Sequence, residues 1–209
     1  MSSLILASFM NPTLPSRAEL RRQRRGLSDS ERRSAARQAA SIAMSLHRFR
    51  YGRRIAFYLA ADGELDPMPL MQRAVDMGKQ CYLPVLHPLG HKRLWFARWQ
   101  PDRVMHPNRY GIPEPMWNRS SLIDSRALDL LFVPLVAFDA RCNRMGMGAG
   151  YYDRTLAWRL LHRYWKGPGL AGYAYAQQKV PSLHAQPWDV PLDMVVTEKG
   201  LVLCRHGQR

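Results

Sequence analysis

Residues 144–153 read Arg144-Met-Gly-Met-Gly-Ala-Gly-Tyr-Tyr-Asp153 and lie between an apolar run and an amphipathic stretch. Upstream, Leu128 to Phe138 is nearly continuous in apolar residues and holds Pro134, the pattern of a buried strand and its exit. Downstream, Tyr152, Leu156, Leu160 and either Trp158 or Leu161 recur at spacings near four, which predicts a helix opening just after the glycines. Glycines at 146, 148 and 150 leave consecutive N–H groups free to turn inward at that helix start, a favourable place for an anion. The stretch is not a Walker loop, because no Gly-x-x-x-x-Gly-Lys-Ser/Thr run occurs in the chain. It also departs from the dinucleotide fingerprint, since Gly-x-Gly-x-Gly follows a polar turn, Asp139 to Asn143. On the glycines alone, a tight turn needing positive φ explains the pattern equally well. Asp153 tips the reading toward a phosphate cradle, because a carboxylate beside phosphates is where Mg2+ would be held.

At 209 residues the chain is long enough for one sizeable core, and a single domain over 1–209 is expected, with 1–16 as a flexible leader and 199–209 as a tail. Asp129 interrupts the longest apolar run, so no membrane span is expected. The first ten residues lack a cationic region, which argues against a signal peptide. Cys81, Cys142 and Cys204 form no Cys-x-x-Cys pair and read as reduced thiols of a cytoplasmic protein. His87 and His91 are separated by Pro88 and Gly90, which oppose the helix a zinc pair at that spacing would need.

The net charge of +15 raises nucleic acid as a partner, but its distribution matters more. Between Arg17 and Arg54, twelve arginines face Glu19, Asp29 and Glu31. A solvated basic helix, a polyphosphate or polyglutamate partner, and RNA all fit that excess. No aromatic-rich RNA signature accompanies the arginines, so nucleic acid is not expected.

Along the chain, Arg17 to Arg25 predicts a short helix stopped by Gly26, and Ser28 to Glu31 is a capping box opening a helix to about His47. Arg54 to Leu59, Pro67 to Met77 and Gln80 to Pro84 then read as a β-α-β unit, whose first strand exits into the acidic loop Asp62, Glu64, Asp66. Such loops, at the carboxyl ends of parallel strands, are where ligands of open α/β sheets bind. Leu94 to Trp99 predicts an antiparallel neighbour, and the prolines of Asn108 to Pro115 an extended loop. Leu170 to Tyr175 and Met194 to Thr197 read as the closing strands. His184 is a loop histidine, a type of residue that is seldom catalytic on its own.

Arg144 to Arg154 resembles the Arg-x-Gly-x-Gly-(Gly/Lys)-Gly-Tyr-Tyr-Asp signature of 5-formyltetrahydrofolate cyclo-ligases, also called methenyltetrahydrofolate synthetases, and the resemblance runs from about Arg17 to Thr197. It implies an α/β fold: a three-layer α/β/α-type sandwich with a mostly parallel central sheet, related to sugar-phosphate isomerases and CoA-transferases. It implies that ATP is held by Arg17, Arg21, Arg144, Met145, Gly146, Met147, Gly148, Ala149, Gly150, Tyr151 and Tyr152. Leu59, Glu64, Tyr110 and Tyr151 would hold the folate, and Asp153 and Asp189 the Mg2+. Arg144, Tyr151 and Asp153 would be the catalytic set, and Asp193 would be structural. Arg17 stands where many members have lysine, and Ala149 where the family has glycine or a phosphate-binding lysine. If that position requires positive φ, alanine there costs about 1 kcal/mol.

The implied reaction closes 5-formyltetrahydrofolate to 5,10-methenyltetrahydrofolate with ADP and phosphate released, through a phosphorylated formyl oxygen. The folate, with or without a polyglutamate tail, is the expected partner, and the chain is expected to be a monomer. Two rivals remain: a sugar-phosphate isomerase or CoA-transferase relative, active without ATP, and a basic RNA-binding protein.

Overall fold

The computed structural model describes residues 14–87, 90–161 and 167–204. The expected capping box at Ser28 and Glu31 forms, and the structure adds a second one at Ser16 and Glu19. Ser16 and Glu19 cap α1 (Arg17–Arg25), Ser28 and Glu31 cap α2 (Asp29–Met44), and Gly26 closes the first helix. The second helix stops at Met44, three residues before the expected end, and a separate short helix α3 (His47–Tyr51) follows. Alanines 35, 36, 39, 40 and 43 give α2 a flat, buried face. This face packs on α4 (Met68–Asp76), which begins at the proline-rich turn after Asp66 and ends before Gly78 at φ +70°.

The described residues form a seven-stranded sheet that runs, in order, through residues 200–203, 194–197, 169–173, 130–133, 54–56, 80–86 and 94–98. β1 (Arg54–Ala56) pairs in parallel with both β2 (Gln80–Leu86) and β6 (Leu130–Val133). β6 pairs in parallel with β9 (Gly169–Tyr173), and β9 with β10 (Met194–Thr197). The edges are antiparallel: β3 (Leu94–Arg98) on β2 and β11 (Gly200–Leu203) on β10. Asp129, the residue that breaks the apolar run, accepts both the Arg53 and Arg54 N–H groups at 2.8 Å and so aligns the start of β1 with that of β6.

Strand alternation sends side chains to two cores. Ile55, Leu130, Phe132 and Ala171 face α2 and α4, whereas Ala56, Leu131, Val133 and Leu170 face Leu156 of α5 (Tyr151–Leu156). Central strands covered on both faces must be apolar at successive positions, which is why β6 is buried throughout. The expected α/β fold with a mostly parallel sheet is therefore present.

Several local expectations change. The extended loop at 108–115 belongs to a hairpin, β4 (Met105–Pro107) against β5 (Pro113–Pro115); its prolines sit at ladder ends, where they pair without needing interior N–H donors. The helix after the glycines breaks at Ala157 into α5 and α6 (Trp158–Leu161), so that Trp158 is buried while Leu160 and Leu161 face solvent. Thr197 is not the end of the sheet, because residues 200–203 of the supposed tail form β11. The expectation of reduced thiols is overturned for two of the three cysteines. Cys142 and Cys204 form a disulfide with Cα atoms 5.4 Å apart, brought together because β11 returns beside the 139–143 turn; Cys81 is free and buried. Residues 1–13, most of the expected leader, lie outside the described residues.

Candidate active site

The cradle is built from the turn outward. β7 (Ala137–Phe138) and β8 (Arg144–Met145) pair antiparallel, and the buried carboxylate of Asp139 knits the turn between them. It accepts from the backbone N–H groups of Arg141, Asn143 and Leu183 and from the Asn143 amide, at 2.9 to 3.0 Å. Cys142 takes φ +61° inside this turn. Arg144 leaves the turn with its side chain 5% exposed; Nη2 donates to Asp153 Oδ1 at 2.6 Å and Nη1 to the Val190 carbonyl at 3.0 Å. The Val190 N–H also reaches Asp153 Oδ1, at 3.3 Å.

Between Arg144 and Asp153 the glycines divide the work. Gly148 at φ +100° and Gly150 at φ +65° occupy left-handed backbone, and a Cβ at Gly150 would also meet the Arg154 guanidinium at 2.9 Å. Ala149 is not among the positive-φ residues. The strain anticipated for alanine at this place does not arise, and what it lacks relative to the family is only the ammonium of a lysine. Arg154, which the sequence reading passed over, donates to the Ala149 carbonyl and, at 2.9 Å, to that of Lys92, fastening the turn to the β2–β3 connection.

A cavity of about 870 Å3 opens over this turn, at the carboxyl ends of β1, β2 and β6. Its walls include Arg17, Leu59, Glu64, Tyr110, the whole 144–154 segment and Asp189. All the residues expected to bind ATP, folate or metal are thus brought to one place except Arg21. Its guanidinium donates to Asp62 at 2.6 Å and is not part of the lining.

Beneath the acidic loop lies a residue the sequence hid among eleven other N-terminal arginines. Arg24 is fully buried, donates to the carbonyls of Asp62 and Leu135 and to Asp62 Oδ2, and stands 3.7 Å from Glu64. Asp62 and Gly63 take φ +51° and +73°, a bend that turns Glu64 into the cavity. The hydrogen bond from Arg21, reinforced by Arg24, holds the Asp62 carboxyl below its ordinary range. Glu64 moves the other way: burial raises its pKa, only partly offset by the Ala61 N–H at 3.2 Å and by Arg24. A largely desolvated carboxylate with unused acceptor capacity suits a ligand presenting N–H donors.

At the mouth, Tyr151 Oη meets Tyr110 Oη at 3.0 Å and Arg109 Nη2 at 2.8 Å. Tyr110 and Arg109 together lower the Tyr151 pKa, and the same contact raises that of Tyr110. Arg109 was not foreseen either; its only sequence signal was its place beside Tyr110.

The carboxylates fit a divalent cation of the Mg2+ type. The hydrogen bonds to Asp153 fall on Oδ1, and that to Asp189 on Oδ2, from the Gln186 N–H at 2.8 Å, which leaves each group one oxygen for a metal. Among the described residues no group of three or more His, Cys, Asp or Glu side chains could hold a metal ion. Asp193, by contrast, is structural. It accepts from Arg159 at 2.8 Å and from the Leu170 N–H at 2.7 Å.

A mostly parallel sheet with a large, mostly apolar cavity carrying a few charged groups at its strand ends is the build of an α/β enzyme. Comparison with known proteins narrows that class. Residues 13–198 match the sequence model of the 5-formyltetrahydrofolate cyclo-ligase family. The 5-formyltetrahydrofolate cyclo-ligase of Haemophilus influenzae is 39% identical over 178 residues, covering 84% of this chain and 92% of that one. That of Escherichia coli K12 is 38% identical over 179 residues, covering 85% and 96%. In structure, the 5,10-methenyltetrahydrofolate synthetase of Aquifex aeolicus superposes with a TM-score of 0.76 at 30% identity, covering 92% of this chain and 93% of that one. The chain belongs to the 5-formyltetrahydrofolate cyclo-ligase family, and so to the ligases. No helix among the described residues is long and apolar enough to cross a membrane.

Proposed function

We propose that this chain closes 5-formyltetrahydrofolate to 5,10-methenyltetrahydrofolate at the expense of ATP, with Mg2+. The observation that carries the reading is the sharing of one cavity by the Arg144 to Asp153 cradle and by Leu59, Glu64 and Tyr110, so that a phosphate donor and a folate can be held face to face.

The formyl amide is resonance-stabilised and its oxygen is a poor leaving group, so N10 cannot expel it directly. ATP passes its γ-phosphoryl group to this oxygen, leaving ADP; N10 then closes on the activated carbon as its C–O bond breaks, so that phosphate departs and N10 gives up its proton. Mg2+ on Asp153 and Asp189 would neutralise phosphate charge. The chain's own residues have no covalent step to perform. Arg144 and Arg17 present positive charge, and the Gly146 to Gly150 backbone gives N–H groups and room for close approach. Glu64 orients the pterin by accepting its N–H donors, and Leu59, Tyr110 and Tyr151 supply apolar and aromatic walls. Alignment of two bound reactants is worth up to about 7 to 11 kcal/mol of barrier, which makes positioning the chief contribution.

The test is a spectrophotometric assay with 5-formyltetrahydrofolate and Mg-ATP, following the methenyl chromophore. Growth of absorbance that requires both ATP and Mg2+ supports the proposal. Absence of growth from folded protein at saturating ATP, or turnover without ATP, overturns it.

A further inference from the structure

Six tryptophans occur in the chain, and Trp188 stands out among those described: the residue is 65% exposed, and it lines the cavity. An indole left in water at the edge of a ligand cavity is an unsatisfied stacking surface. Its backbone is held firmly. Pro187 fixes φ just before it. The Gln186–Asp189 turn is closed twice, by the Asp189 N–H on the Gln186 carbonyl at 3.0 Å and by the Gln186 N–H on Asp189 Oδ2 at 2.8 Å. Two residues on, Val190 is joined to both Arg144 and Asp153. The indole is therefore carried on a rigid arm anchored to the arginine and carboxylate of the phosphate cradle, about 7 Å of backbone away at most. A ribose and its first phosphate span a comparable distance.

We infer that Trp188 is the platform on which the nucleotide's base stacks. The inference rests on the proposed use of ATP and adds the element that proposal lacks, a group that holds the base rather than the phosphates. A flat ring pre-set by a closed turn gives stacking without the entropic cost of ordering a flexible side chain.

The experiment measures binding by calorimetry, for wild type, Trp188→Ala and Trp188→Phe, with Mg-ATP, Mg-tripolyphosphate and 5-formyltetrahydrofolate as separate ligands. Removing a base-stacking aromatic ring weakens binding by roughly 5- to 150-fold. Trp188→Ala should therefore lose at least about fivefold in ATP affinity, with tripolyphosphate and folate unchanged, and Trp188→Phe should keep most of it. Tryptophan fluorescence gives a second readout: ATP, but not tripolyphosphate, should quench wild type, and the quench should vanish in Trp188→Phe. The inference is overturned if Trp188→Ala binds ATP as wild type does, if ATP and tripolyphosphate weaken equally, or if the loss falls on the folate. Wild type that binds no ATP would refute the proposed function itself, and the platform with it.

Discussion

Arg144 Nη2 donates to Asp153 Oδ1 at 2.6 Å, and both groups face the same cavity. The pair joins the first and last residues of the glycine-rich segment, so that the intervening backbone is a closed loop rather than a free one. It also places the carboxylate proposed to hold Mg2+ next to a guanidinium that can share a phosphate's charge.

Asp153→Asn should remain folded, since the amide oxygen can still accept from Arg144 and Val190, but Mg2+-dependent turnover should fall roughly 100-fold. Circular dichroism and kcat measured against Mg2+ concentration check this. Near-normal activity would remove Asp153 from the metal site.

Ala149 lies outside the left-handed region, so Ala149→Gly relieves no strain and should leave the KM for ATP unchanged within about twofold. Ala149→Lys, which adds an ammonium beside the phosphates, should lower it severalfold. An ATP KM that drops for glycine and not for lysine would show that backbone, not charge, limits this turn.

Arg24→Met should destabilise the protein by about 3 to 5 kcal/mol, the cost of stranding the partners of a buried charge. Urea denaturation measures it. A loss under about 1 kcal/mol would mean that the 62–64 loop is held by other contacts.

Acid should act on this loop with opposite signs at its two carboxylates. Asp62 is depressed on folding, so its contribution is present above its unfolded value, about 3.9, and is lost as pH falls through the lower folded value. Glu64 is raised, so its contribution is intact below about 4.3 and is lost as pH rises through the higher folded value. The Tm advantage of wild type over Asp62→Asn should shrink below about pH 4, whereas Glu64→Gln should gain on wild type as pH rises above about 4. Parallel Tm curves for the three proteins would contradict both assignments.

The Cys142–Cys204 bond closes a 62-residue separation, and in the chain-entropy account such a loop contributes about 4 kcal/mol. Cys204→Ser should therefore lower stability by up to that amount. Thiol titration of the unreduced, denatured protein should find one free thiol, Cys81. Three free thiols would show the bond to be absent in solution.

Sequence by itself determined what depends on neighbours along the chain. The Ser28–Glu31 capping box, Gly26 as helix stop, the apolar strands and the β-α-β unit are local in origin, and a β-α-β unit has one favoured hand, so the parallel sheet followed from them. The cradle was legible for the same reason, its residues being consecutive from Arg144 to Asp153.

Only the tertiary structure decided what depends on residues far apart. Twelve arginines between 17 and 54 look alike in sequence, yet Arg24 alone points into the protein, under a loop 38 residues away, while Arg21 is drawn off the cavity by Asp62. The disulfide and β11 arise because the chain's end returns to the sheet edge beside the turn at 142, a closure no spacing between the cysteines announced. Whether Ala149 was strained depended on a dihedral angle, and which arginine gripped Tyr151 on how a hairpin 40 residues upstream leaned over the cavity. Short-range preferences are written residue by residue, whereas burial and partner choice are settled only when distant segments compete for the same space.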